Sequence, residues 1–342
     1  MENLRNKIIC GDCIEVLSKV HTPFADLLFA DPPFNIGYKY DRYNDSLKSK
    51  NYIAWTKDWM AVCKKVLKPH GSFYIAIGDD YAANVKIIAD EIGLFMRNWL
   101  IWHYTFGQQM KTKFARSHTH IFYFVNDKDN FTFNDEAVRV FSDRQKVYSD
   151  KRANAAGKMP DDVWDEYPRI CGTFEERTNF PCQMPESLLA RIMRVSSEEK
   201  QWVLDPFSGS GTTAVVAQKL CRKYTGIEIS KRYVEESIKR IKESEGLPVE
   251  GEGLPKWPEH ADKELKWLYC ENKMPDGQLR KNKVLLVLFT AKLNNRLNKQ
   301  QLYTPDDILN RLEKLRKAGK LGPLRGLQIE RVSRKSDVEV ML

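Results

Sequence analysis

The stretch Val203-Leu204-Asp205-Pro206-Phe207-Ser208-Gly209-Ser210-Gly211-Thr212-Thr213 runs an apolar strand-like segment into a glycine-rich turn and then into a helix. Glycines let a backbone approach a ligand closely, and the positive end of the following helix favours an anionic group. About fifteen residues farther on, Gly226-Ile227-Glu228 ends the next apolar run, and an acid there is placed to hold ribose hydroxyls. The pattern is not the dinucleotide G-x-G-x-x-G, and it lacks the lysine of a phosphate-binding loop. A nucleoside that carries a carboxylate therefore fits better than a dinucleotide.

Two other strand ends carry chemistry. In Leu27-Leu28-Phe29-Ala30-Asp31-Pro32-Pro33-Phe34-Asn35 an apolar strand ends in an acid, two prolines and an aromatic. The prolines fix φ and remove two donors, leaving a carboxylate, aimed carbonyls and a flat ring. That set suits a planar ring bearing an exocyclic amine, with Phe34 stacked on it. Ile8-Ile9-Cys10-Gly11-Asp12-Cys13 likewise follows a short strand, and Asp12 is placed to accept from an adenine amine. Cys10 and Cys13 form a lone C-x-x-C with no second pair, so no metal site is expected. His118-Thr119-His120 reads as packing at a strand entry rather than a metal pair.

Around these motifs the chain alternates strands and helices. Strands are expected at Lys7–Ile9, Ala25–Ala30, Gly71–Ile77, Asn98–Tyr104, His120–Val125, Trp202–Asp205 and Lys223–Ile229. Helices are expected at Tyr52–Leu67, Ala82–Ile92, Pro185–Val195, Thr212–Cys221 and Tyr233–Ile241. This order predicts an α/β protein with a mostly parallel, doubly wound sheet. Residues 126–179 are polar and long for a connection, and 246–258, with three Gly and three Pro, read as a linker. Beyond it, Leu279–Leu297 and Pro305–Ala318 predict a small helical appendage in 259–342.

Composition narrows the partners. The 342 residues are 42% hydrophobic and 30% charged, a globular profile that excludes a disordered or collagen-like chain. The longest apolar run, Val284–Phe289, is far short of a membrane span, and Met1–Asn6 mixes both charge signs, so neither a membrane nor secretion is expected. Seven scattered cysteines fit reduced thiols in a cytoplasm. The net charge is +9, concentrated in 254–342, which holds 19 Lys/Arg against 11 Asp/Glu; 111–158 adds a local surplus of 10 against 6. Two basic zones on a near-neutral body point to an extended polyanion, most simply nucleic acid. The C-terminal zone, 254–342, is expected to bind DNA or to hold a homodimer together.

Together the motifs resemble the S-adenosylmethionine-dependent amino-methyltransferases of DNA. Asp31-Pro32-Pro33-Phe34 resembles their catalytic D/S/N-P-P-Y/F, and Asp205–Gly211 their F-x-G-x-G cofactor motif, here in the permuted order of the β group. Gly11-Asp12-Cys13 is similar to that group's adenine motif, and Pro181-Cys182-Gln183-Met184-Pro185-Glu186-Ser187-Leu188-Leu189 to its P-x-Q-K-P-E-x-L-L, with Met184 for Lys. The resemblance covers about residues 7–242. It implies a Rossmann-like methyltransferase domain over 1–245, with 126–179 as the target-recognition region.

The resemblance also implies roles. Asp31, Pro32, Pro33 and Phe34 would be catalytic. Asp12, Cys13, Gln183, Asp205, Phe207, Ser208, Gly209, Gly211, Thr212 and Glu228 would bind S-adenosyl-L-methionine. Lys111, Lys113, Arg116, Arg139, Arg144, Lys151 and Arg152 would meet double-stranded DNA. The reaction would be direct methyl transfer to the N6 of a flipped-out adenine. The Asp form of the motif favours adenine over the N4 of cytosine, the alternative; a DNA-binding module without activity is a third reading. A cognate restriction endonuclease would lie on another chain, since no cleavage motif is evident here.

Overall fold

The computed structural model describes residues 3–108, 111–140, 152, 158–171, 176–246, 257, 259–272, 276–297 and 303–321. Strands β1 (Lys7–Cys10), β2 (Ala25–Ala30), β3 (Leu67–Ile77), β4 (Phe95–Gln108), β5 (Arg116–Val125), β6 (Val163–Trp164), β7 (Trp202–Asp205) and β8 (Lys223–Glu228) form one sheet in the order β1-β8-β7-β2-β3-β5-β4-β6. All pairs are parallel except β3 with β5 and β4 with β5. All six residues of β2 are buried: Leu27–Ala30 as an apolar run of a central parallel strand, and Asp26 with its carboxylate held by Lys68 and His70 at 2.9 Å.

Alternate residues of the strands feed two cores. Leu27, Phe29 and Val203 pack under helices α4 (Glu186–Ser196), α5 (Thr212–Lys219) and α6 (Lys231–Glu243). Leu28, Ala30 and Leu204 pack on the other face under α1 (Cys13–Ser18), α2 (Ser49–Val66) and α3 (Asp79–Glu91). The doubly wound expectation therefore holds, with antiparallel pairing introduced at β5. From β7 the chain crosses to β8 on one side; from β2 it crosses to β3 on the other. The switch point of the sheet thus lies between the carboxyl ends of β2 and β7, where open α/β sheets hold their ligands.

Cα proximity divides the chain into two compact units, Met1–Arg139 with Met159–Gly253, and Val140–Lys158 with Leu254–Leu342. The second unit contains α7 (Glu259–Asn272), α8 (Asp276–Lys281), α9 (Lys283–Arg296) and α10 (Pro305–Lys317) around its own core of Leu265, Leu268, Leu293, Ile308 and Leu312. Trp257, placed in the linker by composition, stacks on Tyr303 at 4.0 Å between ring centres and packs, half-buried, against this core. The helix expected over Leu279–Leu297 is two helices, because Asn282 interrupts it and accepts the Leu285 N–H at 3.1 Å, capping α9. No helix among the described residues is long and apolar enough to cross a membrane.

Candidate active site

A cavity of about 630 Å³ opens over the carboxyl ends of β1, β8, β7 and β2. Asp31 to Phe34 form one wall, Asp12, Cys13, Phe207 and Glu228 another, and Trp102, Tyr104, His118 and Arg169 a third. The first wall is held rigidly. Tyr52, almost wholly buried on α2, donates its hydroxyl proton to the Pro33 carbonyl at 2.6 Å. Asn35 adopts a left-handed φ of 58° and ties its amide to Leu47 and Tyr81. Buried Asp45 accepts the backbone N–H groups of Asn35, Ile36 and Tyr38 at 2.7 to 3.1 Å. The bare face of Gly78 makes room for the Phe34 ring; a Cβ there would stand 3.2 Å from Phe34 Cδ2.

Two acceptors on this wall are left over. Among the described residues neither the Asp31 carboxylate nor the Pro32 carbonyl takes part in a protein hydrogen bond. Burial, reinforced by the charge of Asp205 across the switch point, pushes the Asp31 carboxyl up to about 8. The Tyr43 hydroxyl, also at the cavity wall, is buried without a partner among the described residues. Polar groups in such positions call for a polar ligand.

The glycine-rich turn meets the cavity through Pro206 and Phe207, while its glycines face protein. Gly209 (φ 48°) and Gly211 (φ 74°) face protein: a Cβ on Gly209 would lie 2.6 Å from Phe180 Cζ, and one on Gly211 2.8 Å from Ser237 Cβ. Asp205, Ser208, Gly209, Gly211 and Thr212 do not reach the cavity wall; Phe207 and Glu228 do. Asp205 instead shapes the turn, accepting from Phe207 N at 2.9 Å and Thr213 Oγ1 at 2.5 Å, and burial pushes it up to about 7. Glu228 accepts from Gly209 N at 2.9 Å and Ser230 N at 2.8 Å, so the turn aims this carboxylate at the cavity. Burial raises its pKa and the backbone donors oppose that rise.

Other expected site residues have their polar atoms partly occupied. Asp12 caps α1, with one oxygen accepting from Ile14 N at 2.8 Å and Glu15 N at 3.1 Å. The Cys13 thiol is buried and pushed up to about 12 by that burial and by Asp12. Gln183 lines the cavity, but its amide is engaged by Thr178 and by the Glu176 carbonyl. The neighbouring Glu186, only 2% exposed, takes Lys219 at 2.8 Å and Arg240 at 2.9 Å, and Arg240 in turn holds Thr212 Oγ1 at 2.8 Å. This buried ionic cluster ties α4, α5 and α6 together behind the turn.

Of the basic candidates, Lys111 and Lys113 are exposed, while Arg116 pairs with Asp79 at 2.9 Å and Arg139 with Asp135. Arg152 is exposed; Arg144 and Lys151 lie outside the described residues. His118 and His120 converge on Asp79 Oδ1 at 3.3 and 3.1 Å. Trp99 donates to His120 Nδ1 at 2.9 Å, so in the neutral ring Nε2 carries the proton and donates to Asp79. A cation could enter there only by displacing that proton. Asp45, Tyr43 and Tyr52 are site residues that sequence reasoning missed.

The family profile described as DNA methylase, of the N6/N4 methyltransferase type, matches residues 25–239. The chain belongs to this family. It is 33% identical over 280 residues to the type II methyltransferase M.HpaI of Haemophilus parainfluenzae, covering 82% of this chain and 84% of that one. It is 35% identical over 247 residues to the DNA adenine methyltransferase YhdJ of Escherichia coli, covering 70% and 83%. Two solved structures share its fold: M1.HpyAVI in complex with S-adenosylmethionine (TM-score 0.52, 21% identity, 69% of this chain and 98% of that one) and the cytosine-N4-specific PvuII methyltransferase (TM-score 0.53, 19% identity, 69% and 90%). The matched segment of this DNA methylase spans both the Asp31 wall and the Glu228 wall.

Proposed function

We propose that the protein transfers a methyl group from S-adenosyl-L-methionine to the N6 of an adenine flipped out of duplex DNA. The observation that carries this reading is the pair of unpartnered acceptors, Asp31 carboxylate and Pro32 carbonyl, beside the Phe34 ring in a cavity that Glu228 also lines. An aromatic amine is a poor nucleophile because its lone pair is delocalised. Asp31 and Pro32 O accept its two N–H bonds, favouring a tetrahedral nitrogen with its lone pair directed out of the ring plane. Phe34 stacks on the base and returns part of the few kcal/mol spent on flipping.

The cavity fits the cofactor: Glu228 offers oxygens to ribose hydroxyls, Asp12 and Cys13 border the adenine end, and Phe207 supplies an apolar face. When bound, the cofactor supplies an electrophilic sulfonium methyl. After transfer the nitrogen sheds one proton, and Asp31, held up to about 8, is the adjacent base that takes it and passes it to water. Most of the acceleration comes from positioning and fixed dipoles.

Adenine is favoured over cytosine by the acid at the head of the motif and by YhdJ, whose name specifies adenine. The type II naming of M.HpaI supports a role beside a cognate endonuclease on a separate chain. The test is methyl transfer to DNA by wild type and by Asp31→Ala, read by nucleoside mass spectrometry. N6-methyladenine from the wild type alone is expected; methylated cytosine would reassign the base, and equal products from both proteins would remove Asp31 from the mechanism.

A further inference from the structure

The second unit presents a dense cationic surface. Arg280 at the end of α8 and Lys317 at the end of α10 both bind the Glu313 carboxylate, at 2.7 and 2.8 Å. That shared carboxylate brings the two helix ends together. Lys281 and Lys283 follow Arg280 closely, and Lys314 and Arg316 precede Lys317; all are exposed. Lys320 sits in the turn that closes α10, its N–H bonded to Leu315 O at 2.8 Å. Glu313 is the lone acid in this group, and its two cationic partners hold its carboxyl below the ordinary value. The other acids of α10 lie at its opposite end, where Asp306 and Asp307 occupy the first turn and Asp307 completes the capping box with Thr304.

The acids in the first turn and the cations in the last turn of α10 complement its dipole, and the cations gathered where α8 and α10 end make a local positive field. The exposed side chains are chiefly lysines, which serve as adaptable point charges toward phosphate rather than as planar readers of base edges. We propose that this face, centred on Lys281, Lys283 and Lys317, grips the phosphate backbone of the duplex being methylated, adding affinity without sequence choice. The proposal rests on DNA being the substrate.

The test uses the full chain and the triple variant Lys281→Gln/Lys283→Gln/Lys317→Gln, with equal melting temperature and equal S-adenosylmethionine binding as the check on folding. Affinity for a duplex of about thirty base pairs is measured across salt concentrations, and each phosphate that is no longer neutralised lowers the slope of log affinity against log salt by about 0.9. The expected result is a slope shallower by about 2 to 3, affinity at least about tenfold lower near physiological salt, and an unchanged rate at saturating DNA. An unchanged slope and affinity overturn the proposal. So does a variant that binds DNA normally but changes mass in solution, which gives the face to a second copy of the chain. Methyl transfer by the wild type, measured on the same duplex, separates the two readings. Transfer with an unchanged slope removes the surface alone; weakened binding by the variant with no transfer by the wild type supports the surface and removes the reading of the cavity.

Discussion

In the proposed reaction Asp31 is the residue on which the chemistry turns, and its environment gives it a pH signature. Its carboxyl is moved from 3.8 to about 8, first by burial and then by Asp205. As an acceptor it must be ionised, so single-turnover methylation should rise with pH through that range and level off above it. A rate that stays flat from about pH 6 to 9 would contradict this role. The same shift has an opposite effect on stability. A carboxyl whose pKa is raised in the fold stabilises it at low pH, and that contribution is lost as pH climbs through the folded value. Asp31→Asn should therefore raise the melting temperature at about pH 9 while abolishing transfer. Tyr52 acts one step back: by occupying Pro33 O it fixes which carbonyl remains for the amine. Tyr52→Phe should cost about 1 kcal/mol of stability by removing the hydrogen bond to the part-buried Pro33 carbonyl. It should also slow transfer while leaving the affinity for the cofactor intact, as equilibrium binding would report.

The elements around the site reward local patterns and hide long-range ones. Strands β2 and β7 are legible to the residue, because the apolar runs Leu27–Ala30 and Trp202–Leu204 each lead directly into an aspartate, Asp31 and Asp205. Strand β4 is longer than the expected Asn98–Tyr104, since its flanks Phe95 to Asn98 are exposed and carry no burial pattern. Helix α7 is masked by the Gly- and Pro-rich segment beside it, although Ala261, Leu265, Leu268 and Tyr269 recur at helical spacing. The proposed catalytic motif, Asp31 to Phe34, is legible because its residues are contiguous. Its supports are not: Asp45 and Tyr52 reach back across 10 and 19 residues, and no local spacing encodes those bonds. The glycines of the turn are legible as glycines, yet their reason is contact with Phe180 and Ser237, which only the packed fold reveals. Gly209→Ala should accordingly destabilise by about 1–3 kcal/mol, through overpacking and a left-handed backbone. Glu186→Gln should cost about 3–5 kcal/mol by removing the carboxylate that pairs with both buried Lys219 and Arg240. Thermal melting checks both.

At the scale of the molecule, two separate cores serve one family fold and a third belongs to an added basic unit. A ligand stabilises only the unit that holds it. Calorimetry should therefore resolve two unfolding transitions, of which S-adenosylmethionine raises one; a single transition would show that the units unfold together. Methylation of an adenine amine in the cavity at the switch point, with Asp31 as acceptor and base, is the proposed reaction. Its most direct test is nucleoside mass spectrometry of DNA incubated with S-adenosylmethionine and either the wild type or Asp31→Ala. N6-methyladenine from the wild type and none from the variant is the predicted result; N6-methyladenine at equal levels from both would contradict it.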